Sequence, residues 1–425
     1  MKLVDYKHAL DYLFSRTTGG FKFGLERTQE LLAHLGNPER RYPSIHVAGT
    51  NGKGSSVATM NAVMAAQGMR VATYTSPHLV DFRERMVVGG TPIPADDVVA
   101  FIEHNLAVIE RIGASFFEAT TAMAFDYFAR AGAEIAVIEA GLGGRLDSTN
   151  VLSPIVAGVT SIGLDHTEYL GSTLEAIAGE KAGIFKANAT AVIGERDEHI
   201  RALLAQLAHE RGASSVRIVA DEMQVSDVRV DNSGTRCDIA WKGETFPLRT
   251  PLAGEHQAAN LAFSLVTLDA AGLLPPLDKT ADALGRVRIP GRFQHVDGFI
   301  FDVAHNPAGS EVLAETLRAV QPPKPLTVLL CVLRDKDWRA MMHALSGVAS
   351  RFVLTMAPTA PASRAWDLDE ALAFARREAL HAVAVPDFSQ ALTLAREGGG
   401  TVLITGSFHT VGDAMTLLQV SPFAG

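Results

Sequence analysis

The sequence predicts an α/β protein of two domains, each a mostly parallel sheet with helices packed against it. Three observations carry that reading. Short β-branched runs alternate with longer stretches of helical periodicity, the pattern of parallel strands joined by crossover helices. A Gly-rich loop containing a lysine, Gly49-Thr50-Asn51-Gly52-Lys53-Gly54-Ser55, joins one such strand to one such helix. A Pro-Gly break at residues 289–294 then separates the first series of units from a second, shorter one.

Taken in order, Leu3, Tyr6, Leu10, Leu13 and Phe14 share one face of a helix over residues 3–14. Thr17 to Phe23 is a Gly-containing loop, and GLERTQELLAHLG is a helix closed by Gly36 with Pro38 beyond. Ile45 and Val47 form a strand that enters the Gly-rich loop, and the following helix runs to about Gln67, with Met60, Met64 and Met69 in the core. MRVATYTSPHL is a strand stopped by Pro77, Gly89-Gly90 a β-turn, and 95–111 a helix. Ser115 to Glu118 (SFFE) reads as a loop leading into the helix ATTAMAFDYFARAG. A further strand ends at Glu139 and runs into a second Gly-rich loop; the next carries Asp165 and His166 at its mouth. A helix with Glu180, Lys181 and Lys186 and the strand ATAVIGE follow. Val225 to Leu252 alternates and turns at Asn232-Ser233-Gly234, so it reads as antiparallel. GEHQAANLAFSLVTLDAAG is a long helix. Beyond the break, strand–loop–helix units resume with FIFDVAHNPAGS and end with TVLITGSFHT. The predicted organisation is a P-loop-containing, mostly parallel sheet domain over 1–288 with helices on both faces, a linker over 289–294, and a smaller Rossmann-like α/β domain over 295–425.

Composition narrows the function. With 425 residues, 47% hydrophobic and 20% charged, the chain can bury two sizeable cores. A net charge of −9 argues against a general nucleic-acid binder. Two cysteines, Cys237 and Cys331, stand far apart in no metal-like spacing and suit a reducing, cytoplasmic setting. The N-terminal stretch carries Asp5, Lys7 and Asp11 and reads as an amphipathic helix rather than a leader. No apolar run approaches the roughly 18 residues of a membrane span.

The loop after Val47 is a phosphate cradle: glycines aim backbone N–H groups inward, and Lys53 adds positive charge for outer phosphates. It departs from the common G-x-x-x-x-G-K-[ST] pattern, with Val47 in place of the first glycine and Gly54 where a hydroxyl would stand. Ser55 sits at the helix start, where it can cap the helix or reach Mg²⁺. Glu139, at the end of a buried strand facing that loop, is where such enzymes hold Mg²⁺. Ser76, Asp147 and His166 also lie at carboxyl ends of strands, where open α/β sheets bind ligands.

Eight stretches, HVAGTNGKGSS, YTSPHL, IEAGLGGRLDSTN, GLDHTEYLG, GEKAGIFK, HQAAN, PGRFQ and FDVAHNP, resemble the folylpolyglutamate synthase/dihydrofolate synthase family of Mur-ligase-like amide ligases. The likeness runs from about Phe23 to about Thr410. It implies an ATP-dependent reaction in which a carboxylate becomes an acyl phosphate and the amine of L-glutamate displaces phosphate. Carried over by motif, it implies catalytic roles for Lys53, Lys181 and His166. ATP would lie on Asn51, Gly52, Lys53, Gly54, Asn260, Arg292, Asp302 and His305. Mg²⁺, as two ions, would lie on Ser76, Glu139, His166 and Lys181, the last carbamylated so that a cation becomes an anionic oxygen ligand. The pteroate or folate would lie against Gly24, Leu25, Glu26 and Arg27, against Phe116, Phe117 and Glu118, and against Leu146, Asp147 and Ser148. Here SFFEATT departs from the LTYFE-type pattern of bifunctional bacterial members.

The implied enzyme adds glutamate to dihydropteroate and to reduced folates, acts as a monomer and needs neither nucleic acid nor membrane; folylpolyglutamate synthase alone is the alternative. A cell-wall ligase of the Mur type would carry a nucleotide-sugar domain ahead of the cradle, and only 48 residues precede Gly49. A GTPase would carry N-K-x-D, which does not occur.

Overall fold

The computed structural model describes residues 5–17 and 24–423. Leu3 and most of the loop expected between Thr17 and Phe23 lie outside the described residues.

The first sheet has eight strands: β1 (Ser44–Ala48), β2 (Val71–Tyr74), β3 (Met86–Val88), β4 (Thr91–Pro92), β5 (Ile135–Glu139), β6 (Val156–Val159), β7 (Thr190–Ile193) and β8 (Ser215–Ile218), in the order β4-β3-β2-β5-β1-β6-β7-β8. From β2 to β8 all pairs are parallel; β3 and β4 add an antiparallel hairpin at one edge. β1 and β5 are buried along their whole length, as the inner strands of a sheet covered on both faces must be. The carboxyl ends of β1, β2, β5 and β6 therefore open side by side.

A three-stranded antiparallel sheet follows, β9 (Met223–Asp231), β10 (Gly234–Trp241) and β11 (Glu244–Thr250). The helix His256–Ala270 returns to the first sheet. Its Phe263 ring lies in van der Waals contact range of Gly158 on β6, where a Cβ would stand 2.6 Å from the ring. Burying that ring contributes about 2–3 kcal/mol and fixes the height of Asn260 one turn earlier.

The chain crosses through residues 286–293 into the C-terminal α/β domain. Its sheet runs β12 (Gln294–Val296), β13 (Phe299–Phe301), β17 (Thr401–Thr405), β14 (Leu326–Leu330), β15 (Arg351–Leu354) and β16 (Ala382–Ala384), parallel except for β12–β13. Helices Pro307–Val320, Trp338–Ser346, Leu368–Arg377, Phe388–Glu397 and Phe408–Leu417 complete its core.

Two local expectations change. SFFE is not a loop: the helix spans Phe116–Arg130, with Ser115 as N-cap and Glu118 closing a reciprocal capping box. The helix Glu198–Glu210 and strand β8 lie between segments assigned from sequence; Ile200, Leu204 and Ala208 are buried at a four-residue spacing.

Candidate active site

The phosphate loop turns at Gly52, whose φ of +89° suits glycine. Asn260 stands directly behind it: a Cβ on Gly52 would lie 2.3 Å from Asn260 Oδ1. Gln257 Oε1 accepts from Asn260 Nδ2 at 3.0 Å and holds that amide in place. Lys53 begins the helix Lys53–Ala65 and turns back over the loop, donating to the carbonyls of Gly49 (2.9 Å) and Thr50 (3.2 Å). Glu139, the last residue of β5, approaches Lys53 Nζ to 4.0 Å and accepts from the Ser76 amide at 3.3 Å. Burial pushes the Glu139 carboxyl up and the Lys53 ammonium down, each partly offset by the other's charge.

Lys181 ends the helix Leu174–Lys181 and is buried, with Nζ donating to the Gly49 carbonyl at 2.9 Å. Both lysines thus meet the same peptide. Burial, reinforced by the charge of Lys53, pushes Lys181 down to about 7, so much of it is an unprotonated amine at neutral pH. The loop Gly143–Arg145 packs against this helix end, with Arg145 N donating to the Glu180 carbonyl and the Arg145 guanidinium meeting Glu180 at 2.8 Å. His166, at φ +49°, precedes a short helix without a side-chain cap bond. Burial lowers its pKa although Asp165 opposes the shift.

The nucleotide residues expected from the second domain face this loop. Asp302 follows β13 and accepts from the amides of Phe293 and Ala304, both at 2.9 Å, which fixes the turn carrying Arg292. The Arg292 guanidinium lies 5.8 Å from the Phe408 ring and meets no hydrogen-bond or ion-pair partner among the described residues. It is close enough to Lys53, Glu139 and His305 to perturb their charges. His305 Nδ1 donates to the Val303 carbonyl at 2.9 Å, and burial pushes its pKa down to about 4.

The residues expected to meet a pteroate gather at a neighbouring wall. Phe117 lies against Gly141 and 6.1 Å from Tyr74, while Phe116 stacks on Phe14 at 5.4 Å under the Arg85 guanidinium. Glu118 is buried; it accepts from Arg27 Nε (2.9 Å) and from the Ser115 amide (2.7 Å). Asp147 is buried too, accepting from the amides of Leu142 and Thr149 and from the Thr149 hydroxyl. Gly24, Leu25 and Glu26 lead into the helix Glu26–His34 beside Arg27, Leu146 is half-buried, and Ser148 is buried in the turn Asp147 caps.

Among the described residues no three His, Cys, Asp or Glu side chains converge as a preformed cation cage. One buried carboxylate beside a phosphate loop still fits Mg²⁺, which takes one or two carboxylates and completes its shell with phosphate oxygens and water. Sequence reasoning left out Asn306 and Lys336, which face Asp165 from the second domain. No local pattern marks that contact, since it joins segments 141 and 171 residues apart.

A phosphate loop backed by a buried carboxylate and two lysines, facing arginine and histidine on a second α/β domain, defines an ATP-dependent ligase of the Mur type. Residues 47–268 match the Mur ligase middle domain, and 291–408 the glutamate ligase domain of Mur ligases. The dihydrofolate synthase/folylpolyglutamate synthase of Bacillus subtilis is 32% identical over 97% of this chain and 99% of its own. The ADP complex of Mycobacterium tuberculosis folylpolyglutamate synthase superposes with a TM-score of 0.90 at 32% identity, over 99% of this chain and 100% of that one. A bifunctional folylpolyglutamate synthase/dihydrofolate synthase with Mn, AMPPNP and L-glutamate bound gives 0.84 at 30% identity, over 99% of both chains. The chain belongs to the dihydrofolate synthase/folylpolyglutamate synthase family, enzymes that ligate glutamate to folates.

Proposed function

We propose that the protein adds L-glutamate both to dihydropteroate and to reduced folates, through an acyl phosphate formed from ATP. The observation that carries the reading is the convergence of Lys53, Glu139 and Lys181 beneath the Gly49 peptide, opposite Arg292 and His305. In this reading Gly52 and Gly54 present backbone N–H groups to the nucleotide, Asn51 lines the loop with its N–H on the Ser161 hydroxyl, and Lys53 leaves its two carbonyl acceptors for the β/γ-phosphates. Arg292, whose guanidinium meets no hydrogen-bond or ion-pair partner among the described residues, takes the same phosphates in a forked contact. Asp302 and His305 complete the nucleotide contacts from the far side, and Asn260 keeps the loop in register.

Ser76, Glu139, His166 and a carbamylated Lys181 would hold two Mg²⁺ ions. When bound, these ions neutralise the charge that builds on the transferring phosphoryl group. The unprotonated fraction of Lys181 is what reaction with CO₂ requires. The wall of Phe116, Phe117, Leu146 and Ser148 takes the pterin. Glu118 and Asp147, saturated by protein donors, shape that wall and orient Arg27 and the loop of 141–148. We further infer a cytoplasmic monomer acting on small molecules; among the described residues no helix is long and apolar enough to cross a membrane.

The test incubates purified protein with MgATP and glutamate, adding dihydropteroate to one tube and tetrahydrofolate to another. ADP release with a product heavier by one glutamyl unit in both tubes supports the bifunctional reading. Product with tetrahydrofolate alone reduces it to folylpolyglutamate synthase. ADP release in neither tube overturns it.

A further inference from the structure

We propose that Asp165 is a positioning residue for the ligation, a carboxylate that crosses the interdomain cleft and clasps two loops of the C-terminal domain over the phosphate loop. The proposal rests on the ligase reading above and adds a residue with no role in it.

Asp165 belongs to the loop after β6. One oxygen, Oδ1, lies 3.3 Å from Lys336 Nζ; the other, Oδ2, accepts from Asn306 Nδ2 at 3.3 Å and lies 3.9 Å from His305 Nε2. Lys336 follows β14, and Asn306 follows β13, so one carboxylate bridges the loops at the carboxyl ends of two strands that flank β17 in the second sheet. Both partners are held on their own side. Asn306 caps the helix Pro307–Val320 through Gly309 N at 2.7 Å, and Lys336 N bonds the Leu333 carbonyl. Asp165 Oδ1 accepts from the His166 amide at 2.9 Å, which ties the clasp to the loop carrying a proposed metal ligand.

The pair is well shielded, with the Asp165 and Lys336 side chains 14% and 16% exposed. Within one rigid domain such a buried pair often adds little net stability. Across a cleft its logic differs: when the domains separate, water solvates both charges, and when they meet, the charges satisfy one another. The contact therefore favours a particular closed register without being needed for either domain to fold. That register carries His305 and the neighbouring Asp302–Arg292 turn toward Lys53. Asp165 touches no reacting atom in this account. It acts through the loops it holds.

The test uses the full chain with Asp165→Asn, Lys336→Met, the double variant and Asp165→Glu. Four readouts are taken: steady-state kinetics, melting temperature, Mn²⁺ affinity in the presence of ADP by electron paramagnetic resonance, and radius of gyration by small-angle X-ray scattering. Each charge-removing single variant is expected to lower kcat/KM for ATP by about 10- to 100-fold, the scale of one charge-assisted hydrogen bond. Melting temperature and Mn²⁺ affinity stay at wild-type values, and the nucleotide-bound protein scatters as a more open particle. The double variant is no worse than the worse single, because both remove one contact, and Asp165→Glu recovers part of the activity. Multiplicative losses in the double variant, or wild-type kinetics in Asp165→Asn, overturn the clasp. A fall in Mn²⁺ affinity that tracks activity in Asp165→Asn while Lys336→Met stays active makes Asp165 a metal ligand and also overturns it. Should the wild-type protein ligate no folate, the ligase reading fails instead, and the clasp stands or falls on the scattering curves alone.

Discussion

The two charged walls at the mouth of the first sheet are built on opposite plans. Beneath the phosphate loop, Lys53 and Lys181 both fall back on the Gly49 carbonyl, and Glu139 stands 4.0 Å from its nearest cation. The Arg292 guanidinium opposite meets the Phe408 ring but no hydrogen-bond or ion-pair partner among the described residues. At the wall proposed for the pterin, Glu118 and Asp147 accept from amides, a guanidinium and a hydroxyl at close range. The first wall holds charge in reserve for a ligand. The second uses its carboxylates to fix its own shape. Charge-removing substitutions should therefore cost turnover at the first wall and stability at the second.

The largest effect is expected from Lys53→Met, which removes the cation proposed to meet developing phosphate charge. We expect kcat/KM for ATP to fall roughly 10²- to 10³-fold with an unchanged melting curve; a loss confined to stability would merge the two walls into one class. Lys181→Ala follows, with a turnover loss on the order of a hundredfold. If the carbamate reading holds, wild-type enzyme kept free of CO₂ loses activity and regains it with bicarbonate, while the variant ignores bicarbonate. A bicarbonate-independent wild type removes the carbamate and leaves Lys181 as a buried cation.

At the second wall Glu118→Ala is expected to reverse the pattern. It removes a carboxylate that Arg27 meets and the acceptor of the Ser115 amide. A stability loss of about 2–3 kcal/mol should appear in denaturant unfolding, while kcat for substrate-saturated enzyme changes less than about threefold. A selective rise in KM for the pteroate without loss of stability would return Glu118 to direct contact with substrate.

The same contrast explains what the sequence could reveal. Strands, the phosphate loop and the interdomain break are local signals, and β1, β5 and the loop at Gly52 lie where periodicity and glycines put them. Lys53, Ser76, Glu139 and His166 each stand in a short local motif, Glu139 at the end of β5 and the others in the segments that follow β1, β2 and β6. The capping box at Ser115–Glu118 is equally local: S-x-x-E before an apolar run is a helix start, so the stretch read as a loop carries its own helix signal. The saturation of Asp147 was not legible, since its donors at Leu142 and Thr149 depend on how the loop folds back. Asp165 and Lys336 meet only because two sheets present their carboxyl ends to one another, which no spacing along the chain encodes.

The second wall's saturation reaches into the core, and there the smallest effect is expected. His46, in the middle of β1 and fully buried, bonds the Thr149 hydroxyl at 2.8 Å, and that hydroxyl donates to Asp147. The ring therefore donates from Nε2, leaving Nδ1 buried with no hydrogen-bond partner among the described residues. Burial pushes its pKa down to about 3 from the ordinary 6.5, with Lys186 adding to the shift. As pH falls below 6.5 the unfolded chain takes up a proton that the folded chain refuses until about pH 3. Stability is thus full above 6.5 and drains away between those values, by about 2 kcal/mol from this residue between pH 7 and pH 5. His46→Leu should be slightly less stable than wild type at pH 7, having lost a buried hydrogen bond, yet lose about 2 kcal/mol less on acidification to pH 5. Denaturant melts at the two pH values decide it: parallel acid losses in both proteins would mean that the ring is not held neutral in the folded chain.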